Sequence, residues 1–160
     1  MRVKIGNYRS ARAKKPRITN IQVHPWDTYS ADVTLGMIIH PVLVAFKEDI
    51  VEKGAVPSDF LRTVDVSDMT DEEAQTLHDE LYKEGMQKWS EVLDSMIWSF
   101  EQVKDDYVGE EKFLTIRDEN ADVTDIANRY DIDDDGLNDY YEKIDEGLQL
   151  FGRYYRSLWW

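Results

Sequence analysis

At 160 residues, with 42% apolar, 32% charged and 12% aromatic side chains, the sequence reads as one globular domain, and five Trp and nine Tyr are too many large apolar groups for a disordered chain. There is no Cys, which excludes a disulfide framework, a thiolate nucleophile and a Cys-based zinc site. The net charge of −14 is unevenly placed: residues 1–19 hold seven bases (Arg2, Lys4, Arg9, Arg12, Lys14, Lys15, Arg17) and no acid, leaving twelve bases against all 33 acids in the rest, a balance that repels phosphate backbones and argues against duplex nucleic acid as a partner of the body.

The expected organisation is a single domain over 1–160, with a basic arm or hairpin over 1–25 and an acidic helical body over 30–160. The first nineteen residues are polar and basic and do not read as a signal peptide. The longest apolar run, Thr34 to Phe46, is too short to span a bilayer and carries His40 and Pro41, so no membrane partner is expected.

Arg2–Ile5 and Ile18–His24 alternate apolar and polar residues as short strands do, and a ribbon of that size must lean on helices. After Pro25, a first helix is predicted from Ser30 or Ala31 to Lys53, with Ser30 as N-cap, a kink at Pro41 and a stop at Gly54. Pro57–Leu61 suits a short helical turn and 63–69 a loop. Thr70 and Glu73 form a capping box that opens a second helix to about Tyr107, with the stripe Leu77, Leu81, Trp89, Leu93, Met96, Ile97, Phe100 and Val103. Gly85 marks a bend or a close approach on it. Residues 108–121 read as a loop anchored by Phe113, Leu114 and Ile116, and Val123–Tyr130 as a short helix started by Asp122. Asp131–Gly136 reads as a turn, and a last helix from Leu137 carries the seam Leu137, Tyr141, Ile144, Leu148, Phe151, Tyr155 and Leu158. The fold class predicted is α+β, mostly α: an N-terminal two-stranded β-hairpin packed on a three- to four-helix bundle.

Four segments together carry a resemblance. They are Pro25 to Leu35 (P-W-D-T-Y-S-A-D-V-T-L), Ile38 to Leu43 (I-I-H-P-V-L), Trp89 to Glu101 (W-S-E-V-L-D-S-M-I-W-S-F-E) and Ile144 to Trp159 (I-D-E-G-L-Q-L-F-G-R-Y-Y-R-S-L-W). In that order the chain resembles a widespread family of tailed-bacteriophage proteins with patterns such as D-T-W-S-M-D-x-T-L-A, W-x-x-v-L-D-x-M-I-x-A-F-E and L-F-G-K-Y-Y-x-x-L-W. Tyr29 stands where the pattern has Trp, Ala31 where it has Met, the segment after Glu101 is shorter, and Trp160 replaces an acidic ending. The resemblance implies a phage origin and no particular chemistry.

Asp131 to Glu142 reads D-x-D-x-D-G-x-x-D-x-x-E, the spacing of a calcium loop and similar to those of EF-hand, dockerin and thrombospondin type 3 repeats. Ca²⁺ would be held by Asp131, Asp133, Asp135, the Leu137 carbonyl, Asp139 and Glu142, although Asn138 stands where such loops have an apolar anchor. The alternative is an acidic turn capping the last helix. His24, His40 and His78 have no partner spacing for metal, and no phosphate loop or nucleophile elbow is present, so no catalytic residue is nominated. Trp26, Asp27, Thr28 and Tyr29 sit at a helix start where free N–H groups can hold an anion, and Arg153, Tyr154, Arg156 and Trp159 mix guanidinium with aromatic faces. Brought into one cleft, these eight would suit a nucleotide; the competing reading is that the aromatics are core and the arginines pair with acids. The function expected is that of a phage accessory protein that binds a host protein or a small signalling nucleotide inside the infected bacterium, antagonising host defence, without catalysis. The alternatives are a virion or assembly component and a calcium-binding regulatory module. The Trp159-Trp160 end also offers a surface for homo-oligomer formation.

Overall fold

The computed structural model describes residues 1–5, 19–122 and 124–159, without the side chain of Ala127. The basic connection of the hairpin, Val123 and Trp160 thus lie outside the described residues. The chain is α+β and mostly helical, with an N-terminal two-stranded antiparallel hairpin on a bundle of helices. Strand β1 (Arg2–Ile5) pairs with β2 (Thr19–Gln22), Val3 facing Ile21. Every residue of both strands is exposed. The hairpin is fastened by its end, where the Met1 ammonium meets the Asp27 carboxylate at 2.7 Å.

A 3₁₀ turn over Pro25–Thr28 leads into α1 (Ala31–Lys53). Ser30 occupies the N-cap position without a capping side-chain bond, and the helix continues through Pro41. It ends as expected at Gly54, whose φ of +67° only glycine adopts cheaply and whose N–H donates to the Ile50 carbonyl at 2.8 Å. A second 3₁₀ turn, Ser58–Phe60, precedes α2 (Asp71–Lys104). The capping box forms: the Glu73 N–H donates to the Thr70 hydroxyl, and the Thr70 N–H to the Glu73 carboxylate at 2.9 Å. The helix stops three residues short of the expected Tyr107, because Asp106 (φ +55°) and Tyr107 (φ +59°) turn left-handed.

The region read as loop, turn and short helix is organised differently. A 3₁₀ segment (Val108–Phe113) runs into β3 (Leu114–Ile116), which pairs antiparallel with β4 (Tyr130–Ile132). The intervening helix α3 shrinks to Ile126–Arg129 and is capped by Asp125, not Asp122. Helix α4 (Asp134–Tyr154) starts three residues earlier than Leu137, and a 3₁₀ turn, Tyr155–Ser157, follows it.

Helix α2 is the shared wall. At 1.5 Å per residue its 34 residues span about 50 Å, and α1 and α4 both pack on it. Trp89, Leu93 and Met96 are fully buried between them. Gly36, early in α1, lies against Lys104, and Gly54 lies against Tyr82, so α1 runs antiparallel to α2. Ile144 packs with Val103 and Tyr154 with Trp89, so α4 is antiparallel as well. Each pole holds an aromatic cluster. Phe60, Trp89 and Tyr154 have ring centroids 5.1–5.7 Å apart at one, and at the other the Tyr140 ring lies 5.8 Å from Trp98 and 5.6 Å from Phe113. Gly85 is a close approach, as expected: a Cβ there would stand 2.8 Å from the Phe60 carbonyl oxygen.

The seam of α4 keeps Leu137, Ile144, Leu148, Phe151 and Leu158 of the expected set in the core, but Tyr140, Gly147 and Tyr154 are buried in place of the expected Tyr141 and Tyr155, and those two are exposed. The reason is contact between backbones. A Cβ on Gly147 would stand 2.5 Å from the Ser95 carbonyl oxygen and would overlap the Ser99 hydroxyl. Ser99 itself is fully buried and donates to the Lys143 carbonyl at 3.3 Å. Only this rotation of α4 lets the two helices approach so closely. Gly147→Ala should therefore destabilise the fold by about 1–3 kcal/mol, overpacking outweighing the gain in helix propensity. Denaturant midpoints for Gly147→Ala and for Gly147→Ala with Ser99→Ala check this: the double variant should recover part of the loss, and a more stable single variant would contradict the crossing.

Candidate functional site

The eight residues expected to form one cleft lie at opposite poles. Helices α1 and α4 are both antiparallel to α2 and so run in the same direction. The turn before α1 and the residues after α4 are thus separated by about the length of α1, roughly 33 Å at 1.5 Å per residue.

At the first pole, the turn satisfies its own donors. The Asp27 carboxylate accepts the His24 N–H at 2.6 Å as well as the Met1 ammonium, and His24 Nδ1 accepts the Trp26 N–H at 3.3 Å. The Thr28 hydroxyl donates to the Pro25 carbonyl. An anion is therefore already present, and it is Asp27; the ammonium, then the His24 N–H, hold its carboxyl below the usual range. Trp26 and Tyr29 stand 76% and 85% exposed, their rings 6.5 Å apart.

At the other pole, Tyr154 is core, wedged against Phe60 and Trp89. Arg153 lies over its ring at 5.2 Å, Arg156 is exposed, and Trp159 is largely in water. Neither arginine has an ion pair among the described residues.

The aspartate run is a helix start in this structure. Asp131 belongs to β4 and pairs with Arg117, whose Nε donates to it at 2.7 Å. Asp133 is the N-cap, accepting the Gly136 N–H at 3.1 Å. Asp135, Leu137, Asp139 and Glu142 lie within α4, and Gly136 has no left-handed φ. Among the described residues, no three acidic or imidazole side chains converge where a metal could sit. A calcium loop would require the first turn of α4 to unwind.

Two features were not legible in the sequence. The first is the outer side of α1. From Val33 to Phe46 the helix carries no charged residue, yet Leu35, Met37 and Val42 are 53–60% exposed, and Pro41 and Ala45 are exposed beside them. A helix apolar on every side is normally enclosed. This one has a partner, α2, on one side only.

The second is a cleft of about 410 Å³ between the end of α2, the Val108–Phe113 turn and the start of α4. Trp98, Phe113 and Tyr140 form its aromatic walls, and Lys112, Lys143 and Asp139 also line it. The Lys143 ammonium sits 4.1 Å above the Trp98 ring. Three chain-distant elements supply these residues, so no local spacing announces them. Three tyrosine hydroxyl bonds, two to carboxylates and one to an amide, brace the neighbourhood. Tyr107 donates to Asp32 at 3.2 Å, Tyr140 to Gln102 at 3.2 Å and Tyr141 to Glu110 at 2.6 Å. The Glu110 bond pushes Tyr141 up to about 12. Burial raises Tyr107, with Asp32 adding to it, and burial raises Tyr140. A larger cavity, about 580 Å³, lies elsewhere, between Arg62–Val66 and the first turns of α2.

Searches against family models, curated proteins and solved structures gave no match to this chain. No helix among the described residues is long and apolar enough to cross a membrane.

Two measurements test these local assignments. Asp133→Ala should cost about 1 kcal/mol as the loss of an N-cap, read from the denaturation midpoint; no change would show that the cap carries no weight. Tyr141 holds its proton more tightly when folded, so its contribution is complete below the ordinary value of 10 and is lost as pH rises through about 12. The melting temperature of Tyr141→Phe should fall less steeply than that of the parent between these pH values. Identical slopes would remove the Glu110 bond from the alkaline transition.

Proposed function

We propose that this protein is a phage accessory protein of the infected bacterium that acts by binding, not by catalysis, and that it docks through the outer side of α1 on a basic host protein. The carrying observation is the uncharged stretch Val33–Phe46, partly in water on a chain of net charge −14.

The energetics favour a partner there. Trp26 and Tyr29, which lead into the helix, leave on the order of 300 Å² of aromatic surface in water. Leu35, Met37 and Val42 add roughly half of the area whose full burial stabilises by about 1.5–3 kcal/mol each. Together these approach the scale of a standard interface, about 800 Å² per partner. Aromatic side chains are also the commonest anchors of such interfaces.

Charge selects the kind of partner. Asp32 and Lys47 bound the uncharged stretch; Lys47 is paired with Asp94, and Glu48, Asp49 and Glu52 follow, so the flanks are acidic on balance. A second copy would bring two bodies of the same net charge together, whereas a protein with an apolar patch set among lysines and arginines would be steered in. The resemblance of Pro25–Leu35, Trp89–Glu101 and Ile144–Trp159 to tailed-phage proteins supports the setting.

Leu35→Asp combined with Val42→Asp tests the surface, because both positions are more than half exposed and each change should shift stability by only about 0.5 kcal/mol. The parent chain should capture a basic host protein from lysate, with a dissociation constant that weakens as salt is raised, and the double variant should lose it. Retention by the variant, or a parent dimer in sedimentation that the variant dissolves, would overturn the reading. Recovery of the chain from purified virions would favour a structural role instead.

A further inference from the structure

We infer that the cleft lined by Trp98, Lys112, Phe113, Tyr140 and Lys143 binds a flat ring carrying an anionic group, the chemistry of a nucleoside monophosphate. This goes beyond the α1 surface and does not depend on it.

The charge pattern is the first reason. Acids outnumber bases 33 to 19 in this chain, so a lysine has many carboxylates to choose from. Yet Lys112 and Lys143, brought to one cleft from different elements, make no ion pair among the described residues. Asp139 is the one acid in the lining, so the lining side chains sum to one positive charge on a strongly negative protein, with Glu110 and Asp133 behind Tyr140 and Gly136. Such a local reversal of sign attracts a small anion but is too confined to hold a long polyanion against the rest of the surface.

The walls are the second reason. Trp98 and Phe113 are half-buried, and Tyr140 is buried, its ring at 82° to Trp98 and 47° to Phe113. A flat ring meets aromatic edges and faces there, contacts worth more than their area alone. The Tyr140 hydroxyl is spent on Gln102, so recognition of the anion falls to the lysines. Lys143 now rests over the Trp98 ring, a weak cation–π contact that a phosphate can replace with a charge-assisted bond. The volume, about 410 Å³, falls at the lower end of small-molecule sites, which run from roughly 300 to 1,000 Å³.

Isothermal titration of the full chain at low salt with adenosine 5′-monophosphate, adenosine and inorganic phosphate tests the assignment. The nucleotide should bind at least tenfold more tightly than either fragment. Lys112→Gln with Lys143→Gln should weaken it tenfold or more with an unchanged circular dichroism spectrum, since both side chains are exposed. Asp139→Asn should tighten it, and Arg153→Ala with Arg156→Ala, at the far pole, should leave it unaltered. No heat from the nucleotide, or binding that survives loss of both lysines, overturns the site. Phosphate binding as tightly as the nucleotide overturns the role of the aromatic walls. Capture of a host protein through α1 is a separate readout, so failure here leaves that reading standing.

Discussion

Helix α4 meets α2 at a point where neither can carry a side chain of any size outward: Gly147 is pressed onto Ser95 and Ser99. Once backbones approach to that distance, rotation about the axis of α4 is fixed to within a fraction of a residue step. Tyr140 and Tyr154, each seven residues from Gly147, then fall on the inner row, and Tyr141 and Tyr155 on the outer one. The same rotation carries Lys143, one turn before the glycine, to the Trp98 ring, while its carbonyl receives the Ser99 hydroxyl. Stability and the shape of the lysine-bearing cleft thus share one cause. A larger residue at the crossing would loosen the core and displace a wall of the cleft together.

Much of the fold was legible because α2 announces itself. A capping box at Thr70 and an apolar stripe over Trp89–Val103 leave no competing period, and the buried set follows that stripe closely. The row of α4 was ambiguous for a specific reason. Each of the pairs Tyr140-Tyr141 and Tyr154-Tyr155 offers an aromatic to either of two adjacent rows, so hydrophobicity alone cannot choose. The choice rests with Gly147, which contributes nothing to a hydrophobic pattern and becomes decisive only when α2 is beside it. The β3–β4 pair escaped notice because its strands are three residues long and the middle pair of its ladder, Thr115 and Asp131, is polar. The Trp26–Tyr29 and Arg153–Trp159 groups each suited the chemistry assigned to them, but the chain direction that separates them is a property of the whole bundle.

The aspartate run shows how one sequence supports two local structures. Carboxylates at alternate positions can face a cation, or they can cap and flank a helix whose N-terminus carries a partial positive charge. Here Asp133 accepts the Gly136 N–H, Asp134 and Asp135 occupy the first turn, and Arg117 takes Asp131 out of the set. The helical arrangement lets the backbone of Leu137 donate to the Asp133 carbonyl, a bond that a ligand loop would forgo in order to turn the Leu137 carbonyl inward. Asn138, where an apolar anchor would hold a loop against a core, adds nothing to the looped form.

The uncharged stretch of α1 and the acidity of the rest constrain one another. An apolar face of this extent on a neutral protein would invite self-association. Net charge of −14 opposes it, because two copies brought face to face would also bring Asp32, Glu48 and Glu52 of each toward the other. The hydrophobic term acts only in contact, whereas the electrostatic term acts over about a Debye length, near 8–10 Å at physiological salt. The longer-ranged term therefore sorts encounters before the shorter-ranged one can hold them. A basic partner would pass that filter more readily than a like-charged copy. At the cleft, Lys112 and Lys143 outnumber Asp139 in the lining, which would set the opposite preference over a few ångströms. The two surfaces differ in reach, sign and size; both rest on α2, and the Tyr107–Asp32 bond ties the turn after α2 to the first turn of α1.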